Sequence, residues 1–283
     1  MSKITDYSAA SRFDNADVLL KDGTNGTKKI LATDAASEFA GMVSYINHRN
    51  VYRGKNLGTS VSSAQKAAIQ SGSFDDLFIG DYWVIDGVTW VIADMDYFYN
   101  CGDTAFTKHH LVIVPNSPLY DAPMSDQTSQ GGHEGSTMGG YVGSKMYTNN
   151  LDSAKATITE AFGDMVLSHR EFLTNAVVSN GYPSAGGWYD STVDLMNEVM
   201  VYGTYSNLFM GIFDNYPPPQ RYTVAKQQLA LFALNPRAIN NRASFWLRDV
   251  VNVNRFAFVD ESGYSACYPS TVSIGVRPEF CIG

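Results

Sequence analysis

Few residues in this 283-residue chain could carry chemistry, and the context of each argues against it. His133-Glu134-Gly135-Ser136-Thr137 opens like the helix of a zinc protease, where two histidines four residues apart hold the metal and the glutamate acts as base. The second histidine is missing and the stretch is Gly-rich, so no metal is expected there. His109-His110 stands at the mouth of an apolar run, where neighbouring side chains of a strand point to opposite faces. One ring is expected inside the fold and the other at its surface. Gly143-Ser144-Lys145 follows Gly139-Gly140 and suggests a phosphate cradle, but neither the strand nor the glycine spacing of a P-loop precedes it. Ser144 is not the centre of a Gly-x-Ser-x-Gly elbow either, and reads as a helix cap. Asp94 and Asp96 share one strand face and could serve a metal or an acid–base pair. With no partner histidine or carboxylate cluster nearby in sequence, both read as structural. Cys101, Cys267 and Cys281 are isolated and nominate no nucleophile. The chain therefore reads as a non-enzyme, with no cofactor and no metal.

Composition narrows the alternatives. Hydrophobic residues make up 45% of the chain and include 4 Trp, 17 Tyr and 15 Phe, ample for a large core. Only 17% of residues are charged, against about 25% in an average soluble domain. A surface solvated by Ser, Thr, Asn and Tyr is implied, a chemistry common on recognition surfaces. The net charge is -8 and no basic run exceeds Lys28-Lys29, so nucleic acid is not an expected partner. No apolar stretch is long enough to span a membrane, and the start, from Met1 to Tyr7, has no hydrophobic signal region. Three cysteines without a CxxC pair suggest synthesis in a reducing cytosol, with no disulfide.

The elements that must position any site come from pattern. Val18-Leu19-Leu20-Lys21 and Lys28-Lys29-Ile30-Leu31 flank turn residues and predict a hairpin. Thr33 or Asp34 caps a helix with Phe39, Ala40, Met42, Val43 and Ile46 at helical spacing. This hairpin-plus-helix unit, residues 1–50, is too small to stand alone and must pack on the chain, on its copies or on an assembly. Ser62 and Gln65 form a capping box for a helix that ends at Gly72. Two strands meet at Asp86-Gly87, and His110 to Pro115 is another. Residues 116–140 read as a surface loop, followed by helices at about 141–150, 152–162 and 190–201, the last on Val193, Leu195, Met196, Val199 and Met200. Pro217-Pro218-Pro219 reads as a rigid corner. Strands are expected over 244–248, 256–260 and 275–282, with a turn through Glu261-Ser262-Gly263. Period two turns Ala257 and Val259 inward and exposes Phe258. The fold class is α+β.

Several blocks carry a resemblance. Gly80-Asp81-Tyr82-Trp83, His109 to Pro115, Gly139 to Met146, Phe245-Trp246-Leu247-Arg248-Asp249 and Gly275-Val276-Arg277-Pro278 occur in that order over roughly residues 50–283. In these blocks the chain resembles phage and prophage virion proteins, of the fibre or tropism-determinant type, whose C-terminal domain has a C-type lectin fold and is diversified by diversity-generating retroelements. Asp17 to Lys29 is similar to the virion-attachment end of such proteins. The resemblance implies that residues 51–283 form a C-type lectin-like domain, the fold also used by the formylglycine-generating enzyme. It implies a binding face between Val250 and Ile274 made by Asn252, Asn254, Arg255, Phe258, Asp260, Tyr264, Cys267, Tyr268, Thr271 and Ser273, with Trp246, Arg248 and Arg277 as scaffold. The implied partners are a host cell-surface protein or glycan and, through residues 1–50, other virion proteins, in a homotrimer that inserts in no membrane. The protein would be made in the bacterial host cytoplasm and reside in the virion. Two alternatives stay open: an oxidase like the formylglycine-generating enzyme, whose cysteine spacing Cys267 and Cys281 do not reproduce, and a capsid-decorating protein without a receptor role.

Overall fold

A computed structural model describes residues 18–21, 28–31, 48–127, 132, 135–179, 181, 183–204 and 227–283. The chain divides into two compact units, 1–47 and 48–283. In the first, β1 (Val18–Lys21) and β2 (Lys28–Leu31) pair antiparallel with Lys21 opposite Lys28. The helix expected after Thr33, the His133-Glu134 motif and the Pro217-Pro218-Pro219 corner lie outside the described residues.

The second unit begins at His48, two residues earlier than the expected end of the small unit, because His48 and Arg49 are tied to residues 74–78 and to Asp94 respectively. The His48 Nδ1 proton is shared between the carbonyls of Phe74 and Leu77, at 2.9 and 3.0 Å, and its ring stacks on Phe78. Helix α1 (Ser63–Ser71) starts at the Ser62/Gln65 capping box and stops at Gly72, whose φ of 71° only glycine adopts freely. Strands β3 (Tyr82–Ile85) and β4 (Val88–Met95) are joined by Asp86 and Gly87 at φ 50° and 79°, the turn whose twist matches a hairpin. Next come β5 (Leu111–Pro115) and β6 (Tyr120–Ala122), the latter inside the expected surface loop. A π-turn, Met146–Asn150, leads into α2 (Leu151–Phe162), then β7 (Val166–Leu167), β8 (His169–Val177), β9 (Pro183–Ser191), β10 (Val193–Leu195) and the short α3 (Glu198–Tyr202). After α4 (Ala230–Leu234) the chain is strand and turn: β11 (Phe245–Asn252), β12 (Arg255–Val259), β13 (Ser265–Pro269), β14 (Ile274–Val276) and β15 (Pro278–Ile282).

The unit is α+β and mostly sheet. One sheet runs β10-β15-β5-β4-β3 with β7 also on β15; a second runs β13-β12-β11-β14-β6; among the described residues β8 and β9 pair only with each other. Trp83, Trp90, Trp246, Phe245, Phe256 and Phe280 are wholly buried.

Three expectations are corrected. The helix over 190–201 is a strand followed by a short helix. Val193 and Leu195 pair with Phe280 and Pro278 of β15, and Asn197 restarts the chain as a helix by accepting the Met200 N–H at 2.8 Å. Over 141–150 only residues 145–150 are helical, mostly as a π-helix, and 141–144 are turn. The block expected as one strand, Gly275 to Ile282, is two strands in different sheets, broken at Arg277. That guanidinium lies over the rings of Phe232 and Phe245 and donates to the carbonyls of Pro115 and Ala238, both at 2.9 Å, so it holds the chain where it changes sheet.

The β8–β9 hairpin was not expected from sequence pattern. Its turn is pressed onto the β11–β12 turn: a Cβ at Gly181, φ 87°, would lie 1.8 Å from the Val253 nitrogen. Gly181→Ala is expected to cost about 3 kcal/mol through overpacking. Gly87→Ala, whose Cβ would meet nothing within 4 Å, should cost about 1 kcal/mol of left-handed strain. Urea unfolding of both variants checks the order, and equal losses would contradict it.

Candidate ligand-binding face

The expected face maps onto β12, β13 and the turns around them, at the β13 edge of the second sheet, which has no further partner among the described residues. Arg255, Ala257 and Val259 sit opposite Pro269, Cys267 and Ser265 on one face; Phe256 and Phe258 sit opposite Tyr268 and Ala266 on the other. Tyr264 is 74% exposed, Tyr268 is 46% exposed and Ser273 is exposed. Asn252, Arg255, Asp260, Cys267 and Thr271 are half-buried.

Asn254 and Phe258 are buried, against expectation. Strand β12 lies between β13 and β11 and is covered on both faces, so alternation does not decide which side chains reach solvent. Phe258, 8% exposed, meets Trp246 and Tyr268 edge-on at 6.1 and 5.5 Å. Asn254 forms the β11–β12 turn, its N–H donating to Asn252 Oδ1 and its carbonyl accepting from Ser270 N–H. Asp260 is a turn former too. Its carboxylate accepts the N–H groups of Ser262 and Tyr264 at 2.8 and 2.9 Å, which fixes the loop that holds Tyr264 out.

The structure adds residues that the sequence did not nominate. Ser270 is buried; its Oγ accepts from Ser136 N–H and its carbonyl from Ser125 N–H, lacing the 125–138 loop onto the face. Thr137 bonds Asn252 and Val253 in the same way. Met138 and Val178, 63% and 43% exposed, therefore stand on turns that touch the expected face. The only sequence signal was the turn-rich texture around Met138.

Trp246, Arg248 and Arg277, the residues that the resemblance makes scaffold, are buried. Trp246 Nε1 donates to the Ala122 carbonyl at 2.8 Å. Arg248 donates to Glu171 Oε2 at 2.6 Å and to the Leu195 carbonyl at 3.3 Å, with Glu279 Oε1 at 4.0 Å. Asp194 accepts from Tyr141 Oη at 2.9 Å and from Ser191 Oγ. Asp249 accepts the Glu198 N–H at 2.7 Å, and Glu198 accepts from Ser265 Oγ on β13. These acids were missed, although two of them interrupt apolar runs, Val193-Asp194-Leu195 and Pro278-Glu279-Phe280.

The side chains that could have carried chemistry are used structurally. His110 is buried, its Nε2 accepting from Phe98 N–H and its Nδ1 donating to the Lys108 carbonyl; burial lowers its pKa to about 3, so the ring is neutral. His109, half-buried, meets Asp96 at 2.8 Å and stacks on Tyr99. Asp94 takes Arg49 at 2.5 and 2.9 Å and the N–H groups of Met95 and Ala230. Ser144 Oγ accepts from Tyr147 N–H at 3.1 Å, a cap. All three cysteines are free thiols.

Comparison with known proteins finds no matching family model, no matching curated protein and no matching solved structure.

Burial pushes the Asp249 carboxyl up to about 7, and the neighbouring Glu198 carboxylate adds to the rise. A carboxyl whose folded-state value exceeds its unfolded value of about 3.9 holds its proton more tightly in the folded chain. Its contribution to stability is full below about pH 4 and is lost as the pH rises through about 7. Wild-type stability should fall across that interval, and Asp249→Asn, which keeps an oxygen for the Glu198 N–H, should flatten the fall. Urea unfolding at several pH values reads the slopes, and equal slopes would contradict the assignment.

Proposed function

We propose that residues 48–283 are a non-enzymatic recognition module of the C-type lectin-like type, carried on a phage particle and directed at a host-surface protein or glycan. The observation that carries this reading is the placement of Tyr264 and Tyr268, exposed on an edge strand and its turn, over a scaffold in which Trp246, Arg248 and Arg277 are buried. Tyrosines supply rigid contact area at low entropic cost, and Asn252, Arg255, Thr271 and Ser273 supply adaptable hydrogen bonds around them. Residues 1–47 would hold the module in the virion, and several copies per particle would turn weak contacts into firm attachment.

The oxidase alternative draws little support. Cys267 and Cys281 lie in different sheets, and burial pushes the Cys281 thiol well above its ordinary range, away from the thiolate such chemistry needs.

Removing residues 250–274 would take out β12, whose Phe256, Ala257 and Val259 are core, so point variants are the better test. Tyr264→Ser with Tyr268→Ser should leave the thermal transition near that of wild type and weaken adsorption of the full chain to host cells about tenfold or more. Unchanged adsorption would overturn the reading. Light scattering of the full chain is expected to give a trimeric mass, and a monomeric mass would contradict the fibre-like assembly.

A further inference from the structure

We propose that His169, Glu171 and Glu279 form a binding site for one divalent transition-metal ion, best matched by Zn²⁺, which fastens the β8–β9 hairpin to β15. One ligand atom from each of the three, all buried, lies within 4.8 Å of the others. His169 and Glu171 are two apart on β8, so they share a face, with His169 Nε2 at 3.5 Å from Glu171 Oε1. Glu279 projects from β15 opposite Asp194.

Two observations beyond proximity point to a cation. The first is unmet polarity: Glu279 has no solvent exposure and neither carboxylate oxygen has a hydrogen-bond partner, the Arg248 guanidinium coming no nearer than 4.0 Å. A buried carboxylate left this way is costly unless something positive meets it. The second is charge. Glu171, Asp194 and Glu279 surround one guanidinium, Arg248, which leaves two negative charges uncompensated when all are ionised. A divalent ion closes that balance.

The surroundings suit a metal. Arg248 holds Glu171 by Oε2 and leaves Oε1 facing His169, as an outer-shell partner orients a ligating carboxylate. Phe98 lies against the His169 ring at 3.9 Å and fixes its plane. Bonds of about 2.0–2.1 Å around zinc set neighbouring ligand atoms roughly 3.3 Å apart. Rotation of Glu279, held by no hydrogen bond, supplies the closing movement. One imidazole and two carboxylates make a set of borderline and hard donors that suits Zn²⁺ and, more weakly, Mn²⁺. A surface cavity of about 350 Å³, lined by Phe106, Ser168, His169 and Asp190 among others, reaches His169 from outside. The proposal stands independently of the recognition reading.

The test uses the full chain, purified without a metal-affinity tag, stripped with chelator and equilibrated with Zn²⁺, followed by elemental analysis, calorimetry and thermal unfolding. One equivalent of zinc per chain and a thermal transition raised by zinc are expected. Glu279→Gln should bind zinc at least about tenfold more weakly and lose the zinc-dependent rise. Should that variant fail to fold, Co²⁺-loaded wild type decides: a chelator-sensitive visible band of four-coordinate intensity supports the site. No stoichiometric zinc in wild type, equal retention by folded Glu279→Gln, or a Co²⁺ spectrum of the hydrated ion would each overturn it, leaving protons as the balancing charge.

Discussion

The structure turns on one buried guanidinium. Arg248 sits on β11 of the second sheet, bonds Glu171 on the separate hairpin and the Leu195 carbonyl on β10, and approaches Glu279 on β15 of the first sheet. Three sheets that share no hydrogen-bond ladder among the described residues are thus linked by one side chain. A buried pair of this kind contributes little net stability compared with apolar packing, because both partners lose water. Removing either partner is far more costly, since the other is left charged and dry. The arrangement therefore fixes geometry more than it adds energy. The sparse charge of the chain is thinner still at its surface, because Asp81, Asp94, Glu171, Asp194, Glu198, Arg248, Arg277 and Glu279 are all interior.

Arg277 plays the complementary part with no acidic partner among the described residues. Two carbonyls and two aromatic rings receive it, and burial lowers its pKa to about 9. Pro278 comes at once and begins the strand in the other sheet. The chain passes between layers at a point held by a cation rather than by a loop.

Local grammar was legible wherever neighbours in sequence settle the structure. The Ser62/Gln65 box, the Asp86-Gly87 turn, α2 and the core strands obey such rules because their partners lie within a few residues or their apolar runs admit one reading. Legibility failed where distant pairing decides. Val193 and Leu195 suit either period and become a strand because β15 is there to pair with. Phe258 is buried between Trp246 of β11 and Tyr268 of β13, partners that distant strand pairing brings to it. The β8–β9 hairpin, with half-buried residues on much of both strands, lacked the apolar contrast that reveals a strand. Of the face, the exposed tyrosines were readable as types and the lacing by Ser270 and Thr137 was not, since backbone partners leave no mark in sequence.

The parallel bridge between Phe245 and Gly275 has a consequence for how the chain varies. A Cβ at Gly275 would stand 2.4 Å from the Ser244 carbonyl, so the two ends of the intervening segment meet in close contact. Everything between them leaves from and returns to one anchored point. Lengthening such a closed excursion costs little entropy, about 0.6 kcal/mol for each doubling. Changes at its outer turns need not travel into the two sheets. Only the outer turn around Tyr264 is open to extension, because Arg248 and the buried side chains of β12 within the same excursion belong to the frame.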